Sequence, residues 1–214
     1  MRHRGADRVD TDLNIRYGDS DITSLDDLLG KTISIGAEES GTERNAKQIL
    51  LAQGISTDMT ETVNLDYTEA AAKLAAGEID AFFCTAGTQT TVIGELAKEC
   101  GIRLLSIDVK CRDRLKAAYP FYSEYTIPAG TYNGQTEDVK TLSVQAVLLA
   151  GDSLSADTVK ELTALLFSHE QDIRYATSIG LKEDEQSAIG GITIPFHKGA
   201  AAYYAECGIE VPTE

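Results

Sequence analysis

Apolar positions along the first half of the chain follow two alternating patterns. A β-branched run, Thr32, Ile33, Ser34 and Ile35, meets Gly36 and a short acidic turn. Ser40-Gly41-Thr42-Glu43 then opens a segment with apolar residues at Ala46, Ile49 and Leu50. This pattern predicts strand, turn and helix start. A second capping pattern, Asp66-Tyr67-Thr68-Glu69, leads a predicted helix with Tyr67, Ala70, Ala71 and Leu74 at helical spacing, stopped by Gly77. Residues 79–84 (IDAFFC) read as a short apolar strand, and residues 85–91 turn it into a helix ending near Cys100-Gly101. Residues 102–107 give the next strand, and residues 112–118 a short helix closed by Pro120. Alternating strands and helices of this kind indicate a parallel sheet covered by helices.

Beyond Tyr119 the pattern changes. Residues 123–127 predict a strand and residues 128–134 (PAGTYNG) a loop rich in turn formers. The run LSVQAVLLA, residues 142–150, predicts a long apolar strand, after which Ser155 caps a helix with Val159, Leu162, Leu165 and Leu166 inward. Two further helical segments are expected at residues 172–177 and 199–207, separated by Gly190-Gly191-Ile192-Thr193-Ile194-Pro195. The first residues form a polar lead-in. The main boundary is expected near Leu142.

Size and charge narrow the function. The chain has 214 residues, 43% hydrophobic and 25% charged, enough for one or two lobes with real cores. Its net charge of −15 argues against nucleic acid as a partner, because phosphate binding needs a basic face. No stretch approaches the ~18 apolar residues of a membrane helix, and the N-terminus lacks the apolar core of a signal peptide. The four cysteines, Cys84, Cys100, Cys111 and Cys207, lie too far apart for paired zinc-ligand motifs. No pair among His3, His169 and His197 has metal-ligand spacing. Neither metal nor cofactor is expected.

Candidate chemistry lies where strands lead into helices, since ligands of open α/β sheets bind outside the carboxyl ends of strands. The helix opened by Ser40 has unpaired backbone N–H groups and a positive dipole end, which suit a carboxylate. Gly41 permits close approach, and the Ser40 and Thr42 hydroxyls add donors. Ser40 and Glu43 equally form a capping box, with Ser40 satisfying the third helical amide and Glu43 reaching back to the cap. A Walker-type phosphate loop is excluded, as no Gly-Lys-Ser/Thr follows. The second turn, residues 84–90, carries Thr85, Ala86, Gly87 and Thr88, neutral groups that would converge with the first on one polar ligand, although a plain threonine-capped loop reads the same. Cys84 with His197 or His169 would be an enzymatic alternative. Its place after Phe82 and Phe83 favours a buried thiol instead.

The chain resembles the TAXI-type solute receptors of TRAP transporters. The segments that carry the resemblance are LDDLLGKTISIGAEESGTERNAKQIL, EAAAKLAAGEIDAFFCTAG, IRLLSIDV, YPFYSEYTIPAGTYNGQTEDVKTLSVQAVLLA and GGITIPFHKGAAAYYAECGI, spanning nearly all of residues 22–209. The resemblance implies an α/β, periplasmic-binding-protein-like (type II) fold, with a parallel or mixed sheet flanked by helices. Its two lobes would close on a small carboxylate or amino acid such as glutamate or glutamine, without catalysis, for delivery to TRAP membrane permease subunits. It implies an extracytoplasmic location. Ser40, Gly41, Thr42, Glu43, Thr85, Ala86, Gly87, Thr88 and Tyr132 would contact the ligand. The expected organisation is residues 1–31 as lead-in and hinge-side remnant of the first lobe, 32–140 as the second lobe, and 141–214 as return strand and C-terminal helices. The family's secretion signal and its first-lobe strand with a GGTGG-type loop are expected to be missing. Two positions depart from the family: Glu39 replaces a small residue before Ser-Gly-Thr, and Thr88-Gln89-Thr90 replaces an aromatic and proline. An effector-binding domain of a transcription regulator is the alternative reading of the same fold.

Overall fold

The computed structural model describes residues 2–11, 15–17, 21–56, 58–88, 90–169 and 184–213. The chain divides into two compact units, Asp10–Ser143 and a second formed by Met1–Val9 with Val144–Glu214.

The first unit is built on a five-stranded sheet. Its strands are β2 (Ile15–Tyr17), β3 (Thr32–Ser34), β4 (Glu61–Val63), β5 (Ala81–Phe82) and β6 (Ile102–Leu104), in the order β4-β3-β5-β2-β6. β3 pairs in parallel with β4 and with β5, bringing Ser34 opposite Val63 and Phe82. β2 runs antiparallel to both β5 and β6, so four strands point one way and β2 runs against them. The predicted sheet is therefore present with one reversed strand inserted. That strand comes from the stretch read as a polar lead-in, which also supplies β1 (Arg2–Thr11). Leu13, Ile15 and Tyr17 alternate there with polar residues, a period-two signal too short among charged residues to stand out.

Helices α1 (Gly41–Gln53), α2 (Tyr67–Ala75), α3 (Thr91–Glu99) and α4 (Val109–Ala118) cover this sheet. Their caps explain their starts. The Ser40, Asp66 and Asp108 side chains accept from the amides of Glu43, Glu69 and Cys111, satisfying one orphan donor each. The Asp108 cap starts α4 three residues before the predicted position. Buried residues Ala70, Leu74, Phe82, Cys84, Ile93, Leu96, Leu104 and Tyr132 form one continuous core cluster. α1 packs against α4, where the Cys111 thiol donates to the Ile49 carbonyl over 3.7 Å. Burial first of all pushes that thiol's pKa up to about 12. Strand β7 (Ser123–Ile127) pairs antiparallel with the start of β8 (Val139–Ala150), Ser123 opposite Ser143.

In the second unit, α5 (Ala156–Ser168) packs on α6 (Lys198–Glu206). The contact is close because residue 199 lacks a side chain: a Cβ there would lie 2.1 Å from the Ala156 carbonyl oxygen and 2.8 Å from Val159 Cβ. Val159, Phe196, Ala200 and Tyr204 form the core, with the Phe196 and Tyr204 rings edge-on at 5.7 Å. The inward stripe of α5 corrects the sequence reading. Val159 and Thr163 are buried, whereas Leu162 and Leu165 are 40% and 45% exposed. Thr163 can occupy the inner face because its hydroxyl donates to the Val159 carbonyl one turn back. The helix expected at residues 172–177 lies outside the described residues.

Candidate functional site

The first turn is set by two backbone exceptions. Gly36 follows β3 at φ +96°, and any Cβ there would sit 2.8 Å from Thr42 Cβ and Cγ2, so only glycine fits. Glu39 has φ 60°, the sole left-handed non-glycine residue among those described. Asn64 closes the turn from below, its side-chain amide donating to the Gly36 carbonyl at 2.9 Å.

The capping box takes a modified form. Ser40 Oγ accepts from the Glu43 amide at 3.1 Å as expected. Glu43 reaches past the cap, however, and its Oε2 accepts from the Glu39 amide at 2.7 Å while Oε1 pairs with Lys47 at 2.7 Å. The Lys47 bond first, then the Glu39 amide, holds the Glu43 carboxyl below its usual range. Both Glu43 oxygens are thus committed within the protein. Among the described residues the amides of Gly41 and Thr42 meet no acceptor, and a side chain added at Gly41 would meet only open space.

Tyr67 and Asn45 tie the second turn to the first. The Tyr67 hydroxyl lies 2.5 Å from Thr42 Oγ1, donates to the Thr85 carbonyl at 2.9 Å and accepts from the Thr85 amide at 3.2 Å. Asn45 Nδ2 donates to Thr85 Oγ1 at 3.3 Å, and Asn45 Oδ1 accepts from Tyr122, whose hydroxyl also reaches Gln48 Oε1 at 2.6 Å. Burial raises the Tyr122 phenol pKa, keeping it protonated. Thr88 Oγ1 lies 3.0 Å from the Tyr125 hydroxyl.

The expected residues therefore separate. Ser40, Gly41 and Thr42 stand at the α1 start, hydrogen-bonded through Tyr67 and Asn45 to Thr85. Ala86 and Gly87 follow half-buried. Tyr132 is 5% exposed within the core cluster that also holds Cys84, with Ala86 packed against it. Tyr67, Asn45 and Asn64 were not expected from the sequence as site residues. Tyr67 entered the apolar stripe of α2 by its spacing, and nothing local shows that its hydroxyl has partners 25 and 18 residues away.

The enzymatic alternative meets two obstacles. Cys84 is 1% exposed inside the core cluster, and His197 uses Nδ1 to accept the Gly199 amide at the start of α6. No helix of the described residues is long and apolar enough to cross a membrane.

Residues 12–208 match the NMT1-like family. Among solved structures, the chain is similar to the periplasmic aliphatic sulphonate binding protein SsuA from Escherichia coli, with 14% identity and a TM-score of 0.45 over 95% of this chain and 67% of that one. A sulfonate-binding SsuA protein from Methylobacillus flagellatus KT is 15% identical, with a TM-score of 0.49 over 99% and 64%. An ancestral arginine-binding protein bound to glutamine is 14% identical, with a TM-score of 0.40 over 80% and 57%. The chain thus spans between 57% and 67% of the lengths of these proteins. The match of the family model over residues 12–208 settles the affiliation: the chain belongs to the NMT1-like family.

Proposed function

We propose that this chain is the ligand-binding part of an extracytoplasmic solute receptor of the periplasmic-binding-protein (type II) kind, holding a small carboxylate or amino acid at the start of α1. The observation that carries the reading is the pair of Gly41 and Thr42 amides, without acceptors, beside the Ser40 hydroxyl. Two convergent N–H groups at a positive helix end complement the two oxygens of a carboxylate. The Thr42 and Glu43 side chains support the turn, and the segment from Thr85 to Thr88 bounds it. Lys47 is paired with Glu43, while Arg44, about one turn from Gly41 and exposed, adds a positive charge near the α1 start. A zwitterion such as glutamine or glutamate suits this setting, because Glu39 opposes a bare anion.

Calorimetry with glutamate, glutamine, succinate and an alkyl sulphonate tests the reading; the sulphonate enters because that is what the names of the SsuA proteins give. The decisive variant is Gly41→Pro. Proline at the first helical position lacks only an N–H that the helix itself does not use, and Ser40 already has the extended ψ of 162° that a following proline prefers. Affinity should fall about tenfold, the worth of one hydrogen bond to a charged group, with the melting temperature unchanged. Unchanged affinity would remove the α1 amides from the site.

The narrower reading is a TAXI-type receptor that passes its ligand to TRAP permease subunits. Uptake that survives loss of ATP hydrolysis but stops when the ion gradient collapses supports it. The opposite dependence points to an ABC permease.

A further inference from the structure

The Thr42 hydroxyl does not face an incoming ligand. Thr42 is 5% exposed, with its Cβ and Cγ2 against Gly36 and its Oγ1 against the Tyr67 phenol. A phenol has one proton to give and two lone pairs to receive. The Thr85 carbonyl can only accept, so it takes the Tyr67 proton. The Thr85 amide and the Thr42 hydroxyl then donate back to the same oxygen. Each partner is satisfied, and the proton of Thr42 is used inside the protein.

We infer that Tyr67 is the positioning residue of the site: its hydroxyl joins the α1 turn to the residue 85–88 turn and fixes how far apart the two stand. The inference rests on the reading of these turns as one ligand site. Three elements meet at one oxygen atom. Thr42 belongs to α1, Tyr67 begins α2, and Thr85 follows β5. Asn45 supplies a second tie between α1 and Thr85, and Tyr122 in turn holds Asn45. Both ligand-facing amides, Gly41 and Thr42, lie within the first turn of the helix that this hydroxyl holds.

Substitution separates the hydroxyl from its ring. Tyr67→Phe keeps the ring that packs against the core cluster and leaves the Thr85 amide and carbonyl without their partner. Amide exchange is measured on the ligand-free protein, then calorimetry on the carboxylate panel. In Tyr67→Phe, exchange at Thr85 should quicken about tenfold, and affinity for glutamate or the best panel member should drop about tenfold. Thr42→Val removes only the Thr42–Tyr67 bond, so it should lower affinity while Thr85 exchange stays near wild type, and the double variant should be no worse than Tyr67→Phe alone, which already lacks that bond. Thr42→Ser should retain wild-type behaviour. Ile93→Val, a core change in α3 that removes no hydrogen bond, serves as the stability control: it should lower the melting temperature without touching affinity.

Unchanged exchange at Thr85 in Tyr67→Phe overturns the inference. So do additive effects of Tyr67→Phe and Thr42→Val, or an equal loss of affinity in the Ile93→Val control. If the wild-type protein binds no panel member while Tyr67→Phe still speeds exchange, the ligand reading fails and the joining of the two turns stands.

Discussion

Glu39 holds a backbone angle that costs an L-residue about 1–2 kcal/mol, and glycine removes that cost while adding disorder to the unfolded chain. Glu39→Gly should therefore stabilise the protein by about 0.5–1 kcal/mol net, read as a raised urea midpoint. A lowered midpoint would mean that the Glu39 side chain contributes more than the strain. Sequence alone showed Glu39 only as a charge. Asp27 yields a pH effect. It accepts from the Thr23 amide first, then from the Ser24 and Thr23 hydroxyls and the Ser24 amide, which lowers its pKa from 3.8 to about 2. A carboxyl depressed in the folded state stabilises it above its unfolded value and loses that stabilisation as pH falls through the folded one. The window is therefore about pH 4 down to about pH 2. Asp27→Ala should lose stability at pH 7 and show a shallower acid limb over that window. An acid limb as steep as the wild type's would contradict this account.

Elements announced by local chemistry were legible. α1, α2 and α5 begin at the Ser40, Asp66 and Ser155 caps that the sequence suggests. Ser40→Ala should cost about 1 kcal/mol in thermal unfolding, and Ser40→Asp should recover most of it. Elements set by distant partners were not legible. β4 and β2 are three residues each and pair with strands far along the chain, so the local pattern is short and names no partner. α5 was rotated in the reading because Leu outweighs Thr on any hydropathy scale. Gly199 decides the matter, since α6 approaches α5 beside Val159 and leaves Leu162 and Leu165 outside. Gly199→Ala should destabilise by about 2–3 kcal/mol, as overpacking a close contact does. A midpoint within error of wild type would show that α5 and α6 can move apart freely.

At the scale of the molecule, a net charge of −15 opposes compaction. Surface pairs such as Lys47–Glu43 and Lys160–Glu206 work the other way, and water and salt screen each of them. Self-repulsion should dominate. Raising sodium chloride from 10 to 500 mM should lift the melting temperature by about 2–4 °C, the equivalent of ~1 kcal/mol at this length; a fall would give the pairs the larger share. The α/β class was readable because strand and helix patterns alternate over residues 32–118. The hydrogen-bonded joint at Tyr67 was not, because it exists only when three separate elements are already in place. One feature of the packing also gives the protein a depth scale for chemical labelling. Its four cysteines lie at graded levels: Cys207 at the surface, Cys100 half-covered, Cys84 and Cys111 within the core. A thiol reagent should consume Cys207 at once. Cys111, bonded to the Ile49 carbonyl and with a pKa near 12, should react only as fast as α1 and α4 part. Time-resolved labelling of these four sulfurs would then record, without an introduced probe, the order in which the protein comes open.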